Sequence, residues 1–291
     1  MQVRSAVIPA AGMGTRFLPA SKAVPKELLP IGDTPTLQLV INEALGAGID
    51  HIVVVSSRNK PAIEAYFAPA PEIVAALEAS GKAVLAERVR SIGSDWRATI
   101  VYQDEARGLG HAVGCAREAV GDEPFAVLLP DEIMGDSSLL SQMNALCASS
   151  GGSVVALKEV PHEEVGRYGV IAPTGPVDAE GVVPIGDMVE KPPVDEAPSD
   201  LIIIGRYVLT PDVFDEIATG RIGALGEIQL TDALRAQAHR SPFHGVVSRI
   251  DRFDTGTPLG FLTAAIELGL RDPGYGDELR SFIDRLPAPT P

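Results

Sequence analysis

The stretch Ser5-Ala6-Val7-Ile8-Pro9-Ala10-Ala11-Gly12-Met13-Gly14-Thr15-Arg16-Phe17-Leu18-Pro19, continued after Lys22 by Lys26-Glu27-Leu28-Leu29-Pro30, decides how the chain folds. Ser5 to Ile8 is a buried run of strand length. It opens into small residues and two glycines, where backbone N–H groups can turn inward with no Cβ in the way. Such a turn is a nest for an anion. Arg16 adds a planar fork of donors that suits phosphate oxygens, and Lys26 adds a compact point charge. Gly-x-Gly alone also fits an ordinary strand-to-helix turn. The residues after it argue otherwise, because a dinucleotide fingerprint needs a third glycine and an immediate helix. Here Phe17 stands at the third position, and Pro19, Pro25 and Pro30 punctuate the rest. The Gly-Lys-Ser/Thr of a P-loop is absent as well. The expectation is a long loop wrapped around a ligand. Between residues 10 and 30, Arg16, Lys22 and Lys26 outnumber Glu27, so the loop is locally basic in a chain of net charge −15,.

Working outward, 291 residues with 45% hydrophobic content suffice for one large α/β domain or two small ones,. The apolar stretches are strand-length, far short of the ~20 residues that cross a bilayer, and the N-terminus does not read as a signal peptide. The expected location is cytoplasmic, with no membrane partner. Strong net acidity also argues against nucleic acid as a partner. Cys115 and Cys147 sit in apolar helical contexts that suit free thiols.

Leu37, Val40, Ile41, Ala44 and Leu45 fall at helical spacing, closed by Gly46 and Gly48, and Ile52 to Ser56 reads as a strand buried on both faces. Strand, loop, helix, strand makes a βαβ unit, hence a mostly parallel sheet with helices on both sides. Residues 61–95 read as helical, without assigned chemistry. The strand Thr99 to Tyr102 ends at Gln103, before a glycine turn at Gly108 that opens a helix, with His111 a helix-start residue. Phe125 to Leu129 is a strand ended by Pro130-Asp131-Glu132. Ligands collect outside the carboxyl ends of strands in open α/β sheets, so Asp131 is placed to face phosphates and to take Mg²⁺. Ser153 to Leu157 and Leu201 to Tyr207 continue the sheet, while 168–171 and 183–188 suggest shorter strands of a second layer bearing Glu190-Lys191-Pro192. Gly226 to Asp232 is expected to begin a helix, as is Pro258, which runs to Arg271. The catalytic domain is expected over 1–272, with a helical tail over 273–291 available for subunit contact.

The run GMGTRFLPASKAVPKELLP, Gly12 to Pro30, resembles the signature of the sugar-1-phosphate nucleotidylyltransferases, and its second half resembles the bacterial members that use UTP and glucose 1-phosphate. The resemblance extends from Ala6 to about Arg271. It implies a Rossmann-like nucleotidyltransferase fold with a small sugar-binding layer, UTP and glucose 1-phosphate as partners, Mg²⁺ as cofactor, and a dimer or tetramer of like subunits. Among residues it implies Arg16, Lys26, Asp131 and Lys191 in catalysis. Nucleotide contacts fall to Ala10, Ala11, Gly12, Gly14, Thr15, Glu27, Gln103 and Gly108. Sugar contacts fall to Glu132, Gly169, Glu190, Lys191 and Glu227, and the metal to Asp131 with Asp254. One segment departs from the pattern: relatives usually carry Gly-Lys shortly before Asp-x-Gly, where this chain has Ser248-Arg249-Ile250-Asp251-Arg252-Phe253-Asp254-Thr255-Gly256. Asp254-Thr255-Gly256-Thr257 looks like the thymidylyltransferase form, so a thymidylyltransferase or another sugar specificity stays open. So does a silent sugar-nucleotide-binding subunit.

Overall fold

Alternate residues of the first apolar run are buried on opposite sides of a sheet: Ala6 and Ile8 lie with Leu37, Val40 and Ile41, and Val7 lies with Val113, Ala116 and Phe125. A strand covered on both faces needs apolar residues throughout, so its sequence reads as a run without alternation. The computed structural model describes residues 2–94, 96–223 and 226–287. Among these, nine strands form one sheet, ordered Arg97–Tyr102, His51–Ser56, Ser5–Pro9, Phe125–Leu128, Leu201–Leu209, Ser153–Glu159, Phe243–Val247, Val182–Glu190 and Gly169–Pro173. The first four are parallel, with Ser5 opposite both His51 and Phe125. Leu201–Leu209 and Val182–Glu190 run against their neighbours, so the sheet is parallel in its first half and mixed in its second. Helices Thr36–Gly46 and Ser138–Ser150 cover one face, and Leu109–Gly114, Val213–Ala218 and Leu230–Ala238 the other. The helical expectation after residue 60 corresponds to Pro61–Phe67, Pro71–Ala79 and Ala83–Arg90. No helix among the described residues is long and apolar enough to cross a membrane.

The strands expected as a second layer belong to the same sheet. Irregular register between Ile185 and Asp187 and between Ile203 and Tyr207 bends the two long reversed strands,. The sheet curls until Gly169–Pro173, last in the order, also pairs with Leu201–Leu209 at Val170 and Ile202. That pair lies beyond the last one made with Phe125–Leu128, Arg206 with Leu128. The Glu190 end of the sheet is thereby brought to the carboxyl end of the strand that leads into Asp131.

The helix expected from Gly226 begins at Leu230 instead. Ile228 N donates to Arg107 O at 2.8 Å and Ile228 O accepts from Gly110 N at 2.9 Å, so residues 226–229 are laced to the Gly108 turn and unavailable for a helical ladder. The helix from Pro258 ends at Gly269, capped at its start by Thr257 Oγ1 accepting from Gly260 N at 3.1 Å. The tail forms the helix Gly276–Ile283, with Leu279 against Gly269 and Tyr275 against Gly32. The end of the tail, residues 288–291, lies outside the described residues.

Candidate active site

Four parallel strands release the chain on the same side of the sheet, and the segments that come after them carry the residues expected at the nucleotide. After Ser5–Pro9 the chain makes no α-helix for more than twenty residues; it passes through short 3-10 turns at Thr15–Phe17, Ala20–Lys22 and Lys26–Leu28 before Thr36–Gly46 begins. Proline at 19, 25 and 30 accounts for that, since it removes the donors a continuous helix needs. Gly14 takes the left-handed conformation, φ 63°, and its carbonyl accepts from Phe17 N at 2.9 Å and Ser21 Oγ at 2.8 Å. Ala10 N is tied to Val55 O at 2.7 Å, but no acceptor among the described residues takes the N–H groups of residues 11–16. The turn is thus held by its carbonyls while a row of donors stays open to an anion.

Asp131 and Asp254 are brought together by an antiparallel ribbon in which Asp254 lies opposite Glu132. Ile133 and Phe253 anchor it in a small apolar cluster with Ile31 and Ala264. Thr255 N and Oγ1 both donate to Asp131 O, at 2.7 and 2.9 Å, which locks the two turns to each other. Gly256 lies in the angle between them: a Cβ there would stand 3.0 Å from Asp254 Oδ1, 3.2 Å from Asp131 Oδ2 and 3.6 Å from Arg16 Nη1. Arg16 Nη1 also donates to Gly256 O at 3.4 Å, and Lys26 Nζ to Asp131 Oδ2 at 2.6 Å. Residues 16, 26, 131 and 254 therefore meet. Asp254 accepts from Gly256 N at 2.8 Å and does not cap the next helix, which Thr257 does.

Three carboxylate and amide groups expected to face ligand are engaged within the protein. Glu27 is 2% exposed, and both its oxygens accept from Lys60 Nζ, at 2.9 and 3.1 Å, so it serves as a buried counter-ion beneath the loop. Lys60 also donates to Ala10 O at 2.7 Å; burial lowers its pKa, opposed by Glu27. Glu132, expected at the sugar, gives both oxygens to Arg252, at 2.6 and 2.7 Å. Burial pushes the Glu132 carboxyl up, against the pull of Arg252. Gln103 donates through Nε2 to Gly108 O at 3.2 Å and to His111 Nδ1 at 2.9 Å. Its donor side is occupied, and the atom it can present to a base is the acceptor Oε1.

At the curled end of the sheet, Glu190 lies opposite Gly169, and its Oε2 accepts from Thr231 Oγ1 at 2.7 Å. A Cβ on Gly169 would come within 3.3 Å of both atoms, so this glycine opens the space beside them. Lys191 comes next at φ 48°, the one non-glycine residue with positive φ among those described, with its ammonium 3.5 Å from Glu190 Oε1. Burial raises the Tyr207 phenol, and nearby Glu190, Glu132 and Asp131 push the same way, against Arg206. Glu227 stands against Gly108 and accepts from Gln229 Nε2 at 3.1 Å; four residues on, Thr231 reaches Glu190. Segment 227–231 thus spans from the Gly108 turn to Glu190.

Sequence reading missed Lys60, Thr231 and Arg252. Lys60 had a signal: it comes after the end of His51–Ser56 just as Asp131 comes after Phe125–Leu128,. Arg252 had a weaker one, a cation two residues before Asp254 on the same strand. In the stretch before Asp254 that lacks the expected lysine, Asp251 pairs with Arg271 at 2.8 Å.

The model of the nucleotidyl transferase family matches residues 5–269. The UTP–glucose-1-phosphate uridylyltransferase of Bacillus subtilis is 44% identical over 287 residues, covering 98% of this chain and 97% of that protein. That of Staphylococcus epidermidis is 43% identical over 286 residues, covering 98% and 99%. Among solved structures, the UTP-bound UGPase from Acinetobacter baumannii superposes with a TM-score of 0.90 at 36% identity, over 98% of this chain and 100% of that one. A UDP-glucose pyrophosphorylase complexed with UDP-glucose gives 0.83 at 39% identity, over 93% and 100%. The chain belongs to the nucleotidyl transferase family, together with the bacterial UTP–glucose-1-phosphate uridylyltransferases.

Proposed function

We propose that the chain transfers the uridylyl group of UTP to glucose 1-phosphate, giving UDP-glucose and pyrophosphate. The observation that supports this most directly is the meeting of Arg16, Asp131 and Asp254 around Gly256, with Lys26 on Asp131, beside a loop whose N–H groups are open. A phosphate oxygen of the sugar attacks the α-phosphorus of UTP; one O–P bond forms as the bond to the bridging oxygen of pyrophosphate breaks. The attacking oxygen is already ionised, so neither a protein nucleophile nor a general base is needed. The protein's part is to align two anions and offset their charge. Residues 11–16 hold the triphosphate through backbone donors and Arg16. Lys26 serves UTP and Lys191 the sugar phosphate, with Glu190, Thr231 and the open backbone at Gly169 on the sugar. Gln103 accepts through Oε1 from a base N–H, which uracil and thymine both offer.

Asp131 and Asp254 fit a divalent cation, Mg²⁺, because a Cβ at Gly256 would crowd the space both carboxylates border. Among the described residues no group of three or more metal-binding side chains occurs, so substrate oxygens and water would complete the shell, as Mg²⁺ favours,. When bound, the ion would neutralise charge on the phosphates.

The reading is tested by incubating the protein with each of UTP, TTP, ATP and GTP against glucose, galactose and mannose 1-phosphates and identifying the products by mass. UDP-glucose as the main product is expected. A higher kcat/KM with TTP would turn the assignment to the thymidylyl reaction, and release of pyrophosphate from none of them would leave a binding subunit.

A further inference from the structure

Arg206 is the largest side chain without exposed surface among the described residues, and it stands in the apolar strand Leu201–Leu209. Burying a guanidinium costs desolvation that an apolar side chain of the same volume would avoid, so its role lies in its partners. Nε and Nη2 donate to the buried Glu43 carboxylate at 2.9 and 2.7 Å. Nη1 donates to the carbonyls of Leu129 and Gly205 at 3.2 and 3.0 Å, and Nη2 also to the carbonyl of Glu132. Every N–H of the fork has an acceptor. Leu129 and Glu132 bracket Pro130-Asp131, where the chain has just left the sheet. Within the turn, the carbonyl of Asp131 is held by Thr255. The turn is pinned from the core by one side chain and from the Asp254 turn by another.

We propose that Arg206, its fork held by Glu43, is a positioning residue for nucleotidyl transfer: it fixes the turn 129–132 so that the Asp131 carboxylate stays aligned with Lys26 and Asp254. Arg206 does not touch substrate. A lysine could keep the charge but could not span a carboxylate and three carbonyls at once. The inference rests on the reaction proposed above and adds how its key carboxylate is held.

The test is Arg206→Lys, with kinetics and Mn²⁺ as probe. A folded variant is expected to lose about a hundredfold in kcat for UDP-glucose formation, with KM for UTP within about threefold of the parent. Mn²⁺ affinity for the protein–UTP complex, followed by paramagnetic resonance, should fall about tenfold, while UTP affinity in EDTA stays at the parental value. A folded Arg206→Lys with parental kcat and Mn²⁺ affinity overturns the proposal. If that variant does not fold, Arg206→Met combined with Glu43→Leu decides, since an apolar pair often keeps such a core stable. A folded double variant with lost kcat and weakened Mn²⁺ supports the clamp; parental values, or failure of this variant to fold as well, overturn it. Should the parent itself form no UDP-glucose, the reaction is misassigned, and the Mn²⁺ comparison still tests the clamp.

Discussion

Asp131 and Lys191 both stand just past the end of a strand of one sheet, and the two strand ends are built differently. Around Asp131, four side chains from three distant segments converge: Lys26 on its carboxylate, Thr255 on its carbonyl, Arg206 on the carbonyls of Leu129 and Glu132, and Arg252 on its neighbour Glu132. Lys191 is 42% exposed at its side chain, lies in a left-handed conformation, and has a 3.5 Å approach to the preceding residue. One end is set before substrate arrives, and the other holds a charge on a long stem beside open space. The difference suits the proposed division of labour. Charge that develops at the reacting phosphorus is best met by groups that do not reorganise. A phosphate on an incoming sugar can be gathered by a side chain that closes on it.

The largest effect should come from the rigid end. Asp131→Asn is expected to fold with parental thermal stability within about 1 kcal/mol and to lose about 3 kcal/mol of transition-state stabilisation, over a hundredfold in kcat, at limiting Mg²⁺. Asp254→Asn should behave alike, and the double variant should be little worse than either single one, because both act on one site. Additive losses in steady-state kinetics would separate the two carboxylates.

Lys191→Ala should cost roughly 1.5 to 3 kcal/mol in kcat/KM for glucose 1-phosphate and leave the KM for UTP nearly unchanged. If UTP were affected equally, the two strand ends would not divide the substrates as proposed. The backbone at this position offers a sharper comparison. A non-glycine residue at φ 48° is strained, so Lys191→Gly should melt higher than Lys191→Ala by about 1 kcal/mol of stability, despite glycine's greater freedom when unfolded,. Equal melting temperatures would mean that the turn is not strained.

A much smaller effect belongs to the turn between the two short paired strands Pro30–Ile31 and Thr34–Pro35, where Arg88 beside Asp33 holds its carboxyl down to about 2. A lowered carboxyl stabilises the fold above its unfolded value near 4 and loses that contribution as the pH falls from there through about 2. The pair is exposed, so Asp33→Asn should remove less than about 1 kcal/mol at neutral pH, with the difference from the parent closing in acid, and should leave turnover at the parental rate. Denaturant titrations from pH 6 down to acid would check the sign.

How much could be read in the sequence depends on the range of the forces involved. The buried strands, the helix Thr36–Gly46 and the unhelical loop are dictated by local pattern: apolar runs, 3.6-residue spacing and proline. The meeting of Arg16, Lys26, Asp131 and Asp254 was legible because each comes just after a strand or belongs to a long motif. The partners of Glu27, Glu132 and Gln103 were not legible, since a carboxylate or amide that binds ligand and one that binds a distant cation look the same in one dimension. Arg206 gave a sign, a charge within an apolar strand, without naming Glu43 as its counter-ion. The supposed second layer failed for another reason: bulges leave little trace in composition, yet they curl the sheet and bring Glu190 toward Asp131.

A site that works by holding charges in place needs only a single displacement at phosphorus, with no covalent stage on the protein. UTP carrying sulfur in place of one nonbridging α-phosphate oxygen, in a single configuration, tests this at the reacting atom itself. The configuration at phosphorus in the UDP-glucose analogue formed from it should be inverted; retention would require two displacements, hence a uridylyl group carried by the protein, and would rule out direct transfer between the bound substrates.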